Sequence, residues 1–264
     1  MDLQLTDKLA LVTGSTAGIG HAIATALANE GAAVIINGRT EAAVAKVVAE
    51  MKTATGNDKI YPFAGDMGTA EAAQAVAKQY PDVNILVNSL GIFEAKAFED
   101  IPDEDWMRFF EVNVLGGVRL ARAYLPAMKR ENWGRIIFIS SESAVQIPAE
   151  MVHYGVTKTA QLGVSRGIAE TVAGTGITVN SVLPGPTKSR GLVGFVDEMA
   201  EQTGQTFEQV EQNFIEQARP SSLIKRFANL EEVASMVAYV ASPLASATNG
   251  AALRVDGGVI KSAF

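Results

Sequence analysis

The chain has 264 residues, of which 48% are hydrophobic and 19% charged, and its formal net charge is −7. This composition predicts a globular protein with a single domain over residues 1–264, and the acidic balance argues against a nucleic-acid or anionic-membrane partner. Because cysteine is absent and the only histidines are His21 and His153, disulfides and thiolate catalysis are excluded, no metal site is expected, and a small-molecule partner is favoured.

Two stretches bear on where the protein is located. Residues 1–8 carry charged side chains and lack an apolar core of signal-peptide length, so we expect a cytoplasmic protein. Residues 233–253 contain no charge, but Pro243, Asn249 and Gly250 interrupt them. This window therefore predicts a helix over residues 230–241, a loop and a strand over residues 252–255, and no membrane span.

The first predicted strand, residues 9–13, leads into a glycine-rich turn and a helix. Elements in that order form a phosphate cradle, because the backbone amides of the turn can approach a pyrophosphate at the positive end of the helix dipole. The spacing is Gly-x3-Gly-x-Gly, and the candidate cofactor contacts are Gly14, Ser15, Thr16, Gly18, Ile19 and Gly20. A glycine-rich turn that binds no phosphate is the alternative.

The end of the second predicted strand, residues 33–37, indicates which dinucleotide would bind. An acidic residue at this point binds the 2′-hydroxyl of NAD, whereas an arginine can pair with the 2′-phosphate of NADP. Here the acid is missing and Arg39 is present, which favours NADP, with a solvated arginine at a helix start as the alternative. Asp66 and Met67 follow the third strand, and Asp66 is placed to accept a hydrogen bond from an adenine amine.

Strands and helices keep alternating through the rest of the chain. Strands are predicted at about 60–63, 84–87, 135–140 and 177–182, and helices at about 41–54, 70–79, 103–130 and 154–172. Each strand–helix–strand unit implies a right-handed crossover, so the fold class is α/β, with a doubly wound parallel sheet covered by helices on both faces. Asn113 lies in the long helical region and is interpreted as either a core or a site residue.

The segment around Tyr154 carries the predicted chemistry. Tyr154 and Lys158 stand four residues apart with helical apolar spacing around them, so a helix would place both side chains on one face. A neighbouring ammonium favours the phenolate, and we expect the pKa of the tyrosine to fall from about 10 toward neutrality. Ser141 ends an apolar strand and could present its hydroxyl to the same carbonyl oxygen. An ordinary exposed tyrosine–lysine pair is the alternative.

Taken together, these motifs resemble those of a known family. They are Thr13-Gly14-x3-Gly18-Ile19-Gly20, Asn88-x2-Gly91, Asn113, Ser141, Tyr154-x3-Lys158, Asn180 and Pro184-Gly185. Over nearly its whole length the chain is similar to the short-chain dehydrogenase/reductase superfamily, and it is closest in motif to the 3-oxoacyl-acyl-carrier-protein reductases. The resemblance implies a Rossmann fold of seven parallel strands, a homotetramer, and hydride transfer between a nicotinamide and a ketone or secondary alcohol.

The resemblance also implies a catalytic tetrad of Asn113, Ser141, Tyr154 and Lys158. In that scheme Ser141 orients the substrate oxygen and Tyr154 gives or takes the proton. Lys158 lowers the pKa of the tyrosine and holds the nicotinamide ribose, while Asn113 supports a water on the proton path. The cofactor contacts carried over from the family are Asn88, Gly91, Tyr154, Lys158, Pro184, Gly185, Thr187 and Ser189.

Two departures from the family pattern bear on the substrate and cofactor sites. Leu90 is bulkier than the usual residue beside the adenosine, and Ser189 replaces a threonine. Two rivals stand beside an NADP-dependent ketone or alcohol oxidoreductase: a 3-oxoacyl-thioester reductase and a cofactor-binding protein without turnover. Carrier-protein reductases dock their carrier with basic residues at two positions, which here are Lys129 with Arg130, and Thr175.

Residues 189–220 are predicted to form a lid over the substrate site. Apolar residues recur there at helical spacing, so two short helices could turn apolar faces inward on either side of a hinge at Gly204. The inward residues would be Leu192, Phe195 or Val196, Met199, Phe207, Val210 and Phe214, and the outward ones Asp197, Glu198, Glu201, Glu208, Glu211 and Glu216. Such a cover favours a neutral, medium-sized apolar or cyclic ketone. The alternative is that these residues cover no site, and that they are solvated surface on one side and core on the other.

Overall fold

The architecture is that of a parallel sheet with helices on both faces. The computed structural model describes residues 1–263, apart from the side chains of Arg190 and Phe195. Within that range seven strands form one sheet: β1 (Leu9–Val12), β2 (Ala33–Gly38), β3 (Ile60–Ala64), β4 (Ile85–Asn88), β5 (Gly134–Ile139), β6 (Ile177–Pro184) and β7 (Ala252–Val255). Their order is β3-β2-β1-β4-β5-β6-β7, and each neighbouring pair is parallel. This confirms the predicted doubly wound α/β fold.

The helices fall into two layers and one separate pair. They are α1 (Gly18–Asn29), α2 (Glu41–Thr55), α3 (Ala70–Gln79), α4 (Asp103–Phe110), α5 (Gly116–Glu131), α6 (Val152–Thr171), α7 (Arg190–Thr203), α8 (Phe207–Ala218) and α9 (Leu230–Ala241). Side chains of α1, α2 and α9 pack on one face of the sheet, and those of α3, α5 and α6 on the other. Both faces of the strands are therefore buried, which explains their continuous apolar runs.

The order of the strands fixes where a ligand can bind. The chain turns from one half of the sheet to the other between β1 and β4, which are neighbours in space but far apart in sequence. In open parallel sheets the crevice at such a switch point, beyond the carboxyl ends of the strands, is the usual ligand site. The glycine-rich turn after β1 and the residues after β4 both lie at this edge.

The predicted long helix over residues 103–130 is interrupted in the structure. Residues Glu111–Leu115 form a π-helical turn between α4 and α5. A π turn adds one residue to the helical ladder and changes the direction of the side chains within it, and such turns are frequent at functional sites. Asn113 lies in the middle of this π turn.

The region after β6 leaves the sheet and returns to it. Helices α7 and α8 pack against a small core of their own, formed by Val196, Val210, Ile215 and Phe227. At the base of this excursion the Lys188 amide donates to the Ala228 carbonyl at 2.9 Å. The Ala228 amide in turn donates to the Pro186 carbonyl at 2.8 Å, so both ends are held together. The two predicted helices are present, and Gly204 between them has φ +68°.

The uncharged window near the carboxyl end forms the predicted helix, loop and strand. Helix α9 covers Leu230–Ala241 and β7 covers Ala252–Val255. No helix within residues 1–263 is long and apolar enough to cross a membrane.

Candidate active site

The turn after β1 is held in shape by Asn37 at the end of β2. The Gly14 amide donates to the Asn37 side-chain oxygen at 3.0 Å, and the Ser15 amide donates to the Asn37 carbonyl at 2.9 Å. Gly20 faces this turn so closely that a Cβ there would lie 2.6 Å from the Gly14 carbonyl oxygen. Helix α1 then begins at Gly18, and Ala17 before it supplies no side-chain cap within the described residues. Its first amides are thus free to bind an anion.

Ser15 does not occupy the position that the sequence suggested. It is fully buried, its hydroxyl donates to the Val12 carbonyl at 2.8 Å, and the same oxygen accepts from the Asn37 amide at 2.9 Å. Because its amide is also bonded, the polar groups of Ser15 are used inside the protein. Ser15 therefore shapes the turn, and its contact with a cofactor stays a prediction.

The residues after β2 and β3 lie beside the same turn. Arg39 is exposed directly after Gly38, and a Cβ on Gly38 would meet the Thr16 methyl at 2.5 Å, so Thr16 packs on this strand end. Asp66 is exposed, and one carboxylate oxygen accepts from the Gly68 amide at 2.9 Å. Met67 is buried in the core, which leaves only its backbone toward the crevice.

The end of β4 approaches α6 and the π turn. A Cβ on Gly91 would lie 3.3 Å from the Lys158 Nζ and 3.5 Å from the Asn113 side-chain oxygen. Asn88 is 4% exposed, and neither polar atom of its amide has a hydrogen-bond partner in the described part of the chain. Because residue 91 is a glycine, the side chains of Lys158 and Asn113 can lie close to the backbone after β4.

Asn113 is buried and fully hydrogen-bonded. Its side-chain oxygen accepts from the Ile92 amide at 2.8 Å, while its nitrogen donates to the Ile92 carbonyl and to the Thr157 hydroxyl, both at 3.0 Å. The Gln161 side chain donates to the Asn113 carbonyl at 2.6 Å, a carbonyl that lies in the π turn. Asn113 thus ties the loop after β4 to α6, and so combines a core position with one next to the site.

Lys158 is buried beneath the ring of Tyr154. Its ammonium donates to the Ile139 carbonyl at 2.9 Å and to the Gln161 side chain at 3.4 Å, and lies 5.6 Å from the centre of the Tyr154 ring. Burial lowers the pKa of Lys158 to about 8. The predicted helix is therefore present, and both side chains lie on one face of it.

The expected fall in the pKa of Tyr154 is wrong. The pKa of the phenol is raised to about 12, chiefly by burial, and the negative charge of Glu142 acts in the same direction. The Ser141 hydroxyl and the charge of Arg219 act in the opposite direction. The Lys158 ammonium, which donates to the Ile139 carbonyl and lies 5.6 Å from the centre of the ring, is not among the groups that shift this pKa.

A cavity of about 240 Å³ brings together nine of the nineteen candidate site residues. Ser141, Tyr154 and Lys158 line it beside Gly91 and Ile19. The segment after β6 forms another wall, through Pro184, Gly185, Thr187 and Ser189. Among the described residues, the other ten candidates do not line it. They are Gly14, Ser15, Thr16, Gly18 and Gly20 after β1, Arg39 after β2, Asp66 and Met67 after β3, Asn88 in β4, and Asn113 in the π turn.

A protein-family model described as short chain dehydrogenase matches residues 8–207. The chain belongs to the short-chain dehydrogenase family. It is 50% identical over 264 residues to the uncharacterized oxidoreductase YvaG of Bacillus subtilis (strain 168), with full coverage of both chains. It is 33% identical to the 3-oxoacyl-[acyl-carrier-protein] reductase FabG of Aquifex aeolicus, over 98% of this chain and 100% of that protein. The resemblance seen in the motifs is thus confirmed, and the protein is an oxidoreductase.

A solved structure extends the likeness of this dehydrogenase to three dimensions. L-sorbose reductase from Gluconobacter frateurii, complexed with NADPH and L-sorbose, matches with a TM-score of 0.93 and 31% identity. The match covers 99% of this chain and 100% of that one, so the segment after β6 is included.

Sequence reasoning missed two charged residues of this short-chain dehydrogenase. Glu142 and Arg219 both line the cavity, and the Arg219 Nε donates to a Glu142 carboxylate oxygen at 2.6 Å. The carboxylate of Glu142 follows Ser141 directly, and that proximity is a signal that the sequence did contain. Arg219 lies 77 residues further along the chain, and no local pattern connects the two.

Proposed function

We propose that this enzyme transfers a hydride between NADPH and a ketone or secondary alcohol, and that Asn113, Ser141, Tyr154 and Lys158 carry the reaction. The observation that supports this most directly is the shared cavity, where a phenol, a hydroxyl and an ammonium meet. A carbonyl oxygen in that cavity could accept a proton from Tyr154 and a hydrogen bond from Ser141.

The shape of the crevice fits a nicotinamide dinucleotide. The uncapped start of α1 suits a pyrophosphate, and the tight contact of Gly20 with Gly14 leaves the turn without side chains at its closest point. Exposed Arg39 supports a 2′-phosphate, and Asp66 keeps one carboxylate oxygen for an adenine amine. NADPH in the L-sorbose reductase complex supports the same cofactor class here.

Each proposed catalytic group has a distinct role. When bound, NADPH supplies the hydride. Tyr154 gives its proton to the substrate oxygen in reduction and takes it back in oxidation, while Ser141 holds that oxygen in place. Lys158 is buried with a pKa of about 8, so it can return a proton toward Tyr154 near neutral pH. Asn113 fixes the loop after β4 against α6.

Reduction of a 3-oxoacyl thioester on a carrier protein is the second candidate function. The relative from Aquifex aeolicus and the exposed pair Lys129 and Arg130 favour it. Thr175 stands where a second basic docking residue would be needed, and its hydroxyl donates to the Val172 carbonyl. Turnover of an acyl-carrier thioester at a higher kcat/KM than any free ketone would support this candidate. A cofactor-binding protein without turnover would oxidise no NADPH across the whole panel.

We infer that the chain works as one domain and that residues 189–220 act as its substrate lid. Leu192 and Phe214 line the cavity from this segment, opposite Phe93 and Met151, and they give it an apolar wall. The outward-facing set is smaller than predicted, because Glu211 is buried and accepts from the Phe227 amide. The predicted inward residue Met199 is exposed, and the side chain of Phe195 lies outside the described residues.

Phe214→Ala is expected to raise KM for an apolar ketone about tenfold while the KM for NADPH stays unchanged, because the change removes part of the apolar wall. The measurement is a kinetic comparison of cyclic ketones with phosphorylated sugars. Phe207→Ala is the matched control, since Phe207 packs on the same small core but is not among the described residues that line the cavity. A phosphorylated sugar as the best substrate would contradict the proposed substrate class.

Arg39→Asp is expected to shift cofactor preference from NADPH toward NADH by about tenfold to a hundredfold, because it removes a charge-assisted bond and adds a like charge. Fluorescence titration of both cofactors measures the change. Lys78→Asp makes the same charge reversal on the exposed face of α3 and should leave the preference unaltered. Equal affinity of the native protein for the two cofactors would rule out the assigned role of Arg39.

A homotetramer in the cytoplasm is the proposed state of the enzyme. Large apolar side chains are exposed near the α4–α5 junction, with Phe98 60%, Met107 71% and Leu115 41% exposed. Burying them against symmetry mates would remove this surface from water. Light scattering at micromolar concentration is expected to give four times the mass of the 27.9 kDa chain, and a monomer would refute the assembly.

A further inference from the structure

The strongest unassigned feature of the site is a buried ion pair at the cavity. Glu142 follows Ser141 at the end of β5, whereas Arg219 follows α8 in the proposed lid segment. They are 3% and 7% exposed, and the Arg219 Nε donates to the Glu142 Oε1 at 2.6 Å. An ion pair so far from water affects its neighbours more strongly than a surface pair does, because solvent screens it little.

The second oxygen of the same carboxylate binds the candidate catalytic serine. The Ser141 hydroxyl donates to Glu142 Oε2 at 3.0 Å, and the Ser143 hydroxyl also donates to that oxygen. In addition, the Ser141 oxygen accepts from the Ser143 amide at 3.1 Å. A serine hydroxyl has one proton to give. While Glu142 accepts that proton, Ser141 meets a substrate as an acceptor, and donation requires the hydroxyl to turn away from Glu142.

Arg219 affects how strongly the Glu142 carboxylate accepts the hydrogen bond from the Ser141 hydroxyl. Its guanidinium also donates to the Ala218 carbonyl at 2.8 Å and lies 3.8 Å from a Glu150 oxygen, so it is fixed from several sides. A paired carboxylate is a weaker acceptor toward a third group than an unpaired one. Without Arg219, Glu142 would become a buried, uncompensated charge next to Ser141.

We infer that Glu142 and Arg219 are positioning residues for the reaction proposed above: the pair directs the Ser141 hydroxyl and balances the charge beside Tyr154. Through Arg219 the segment that carries α7 and α8 is linked to the proton-transfer group, although the arginine itself need not touch the substrate. The expected changes in kcat/KM rest on the proposed function, whereas the expected shifts in the pKa of Tyr154 do not.

Two charged groups, Glu142 and Arg219, act on the phenol of Tyr154, and two more, Lys158 and Glu150, lie near them. Lys158 lies on the same helix, Glu142 follows β5, Arg219 follows α8, and Glu150 precedes α6 and reaches the group through Arg219. The negative charge of Glu142 raises the pKa of Tyr154 and the positive charge of Arg219 lowers it. Loss of Arg219 alone therefore favours the protonated phenol, and loss of the Glu142 charge alone favours the phenolate.

The test compares Arg219→Met, Glu142→Gln and the double variant in alcohol oxidation with saturating NADP. This direction needs the phenolate, so kcat/KM rises with pH. We expect Arg219→Met to lower kcat/KM about tenfold at neutral pH and to move the midpoint of the rise up by about one pH unit. Glu142→Gln keeps the shape of the side chain and should move the midpoint down. The double variant should return it close to the native value.

Arg226→Met is the matched control, because Arg226 pairs with Glu232 at 2.8 Å on the exposed side of the same region. It should leave the midpoint unchanged. If Arg219→Met and Glu142→Gln lower activity equally at all pH values with the native midpoint, the pair has only a structural role and the inference is wrong. If thermal unfolding shows that Arg219→Met does not fold, Glu142→Gln alone decides. A downward shift of its pH midpoint supports the inference, and a native midpoint contradicts it.

A second measurement separates this inference from the proposed function. In NADP-bound protein with isotope-labelled tyrosine, an NMR pH titration follows ionisation of Tyr154, whose signal is assigned by its loss in Tyr154→Phe. The opposite shifts in Arg219→Met and Glu142→Gln are expected there even if no alcohol or ketone is turned over. If the two variants show opposite shifts but the native protein turns over no ketone or alcohol, the proposed function is wrong and the role of the ion pair stands. If turnover is normal but the titration of Tyr154 is the same in both variants, the proposed function stands and the role of the ion pair is wrong.

Discussion

Tyr154→Phe is expected to lower the rate of ketone reduction by about two to four orders of magnitude, the range of a general acid. The substitution removes the transferable proton but keeps the ring, so the contact with Phe93 at 6.4 Å between ring centres should persist. Steady-state kinetics on a ketone that the native enzyme reduces measures the loss.

Binding of NADPH should survive this change, because it leaves unaltered the glycine-rich turn and Arg39, the proposed contacts of the pyrophosphate and the 2′-phosphate. A titration of the variant with NADPH is therefore the control. If Tyr154→Phe kept more than about a tenth of native activity, a different group would have to supply the proton.

Asn113→Leu is expected to lower the free energy of unfolding by about 2–5 kcal/mol, since each buried polar group left without a partner costs about 1–3 kcal/mol. The change leaves the Ile92 amide, the Ile92 carbonyl and the Thr157 hydroxyl without the bonds that Asn113 makes. Denaturant unfolding monitored by circular dichroism gives the difference in stability.

Ketone reduction should fall as well, because the loop released from Asn113 includes Gly91, which lies next to Lys158. Asn213→Leu is the control: Asn213 is a half-buried residue of α8 with one long hydrogen bond to Gln205, and its loss should change stability by less than about 0.5 kcal/mol. Native stability in Asn113→Leu would show that the three bonds contribute nothing to the fold.

The sheet could be predicted because its signals are local. Apolar runs such as residues 33–37 and 135–140 are buried on both faces, and the alternation with helices then restricts the topology to right-handed crossovers. Helices α7, α8 and α9 could also be predicted from the helical spacing of their apolar residues alone. At strand ends the predictions differ by one or two residues, as in β6, which continues to Pro184.

The electrostatics of the site could not be predicted in this way. The spacing of Tyr154 and Lys158 placed both on one helix face, but it could not show that the ammonium is bonded to the Ile139 carbonyl. Nor could it show that burial raises the pKa of the Tyr154 phenol. Likewise, Glu142 and Arg219 meet only because the lid segment folds back across the carboxyl end of β5. Such contacts depend on tertiary structure and have no periodic signature.

The hydrogen bonds between residues 186–188 and Ala228 have a consequence for how the enzyme could change its substrate. They close residues 189–227 into a module whose two ends meet beside β6, so the sequence between these ends can vary without displacing the strands of the sheet. A transplanted module from a relative would need to preserve this junction, the bonds from the Leu223 and Ile224 amides to the Gly257 carbonyl, and a partner for Glu142. Apart from Ser189, which is a proposed cofactor contact, this module can therefore diverge in sequence while the glycine-rich turn and the strand ends are retained.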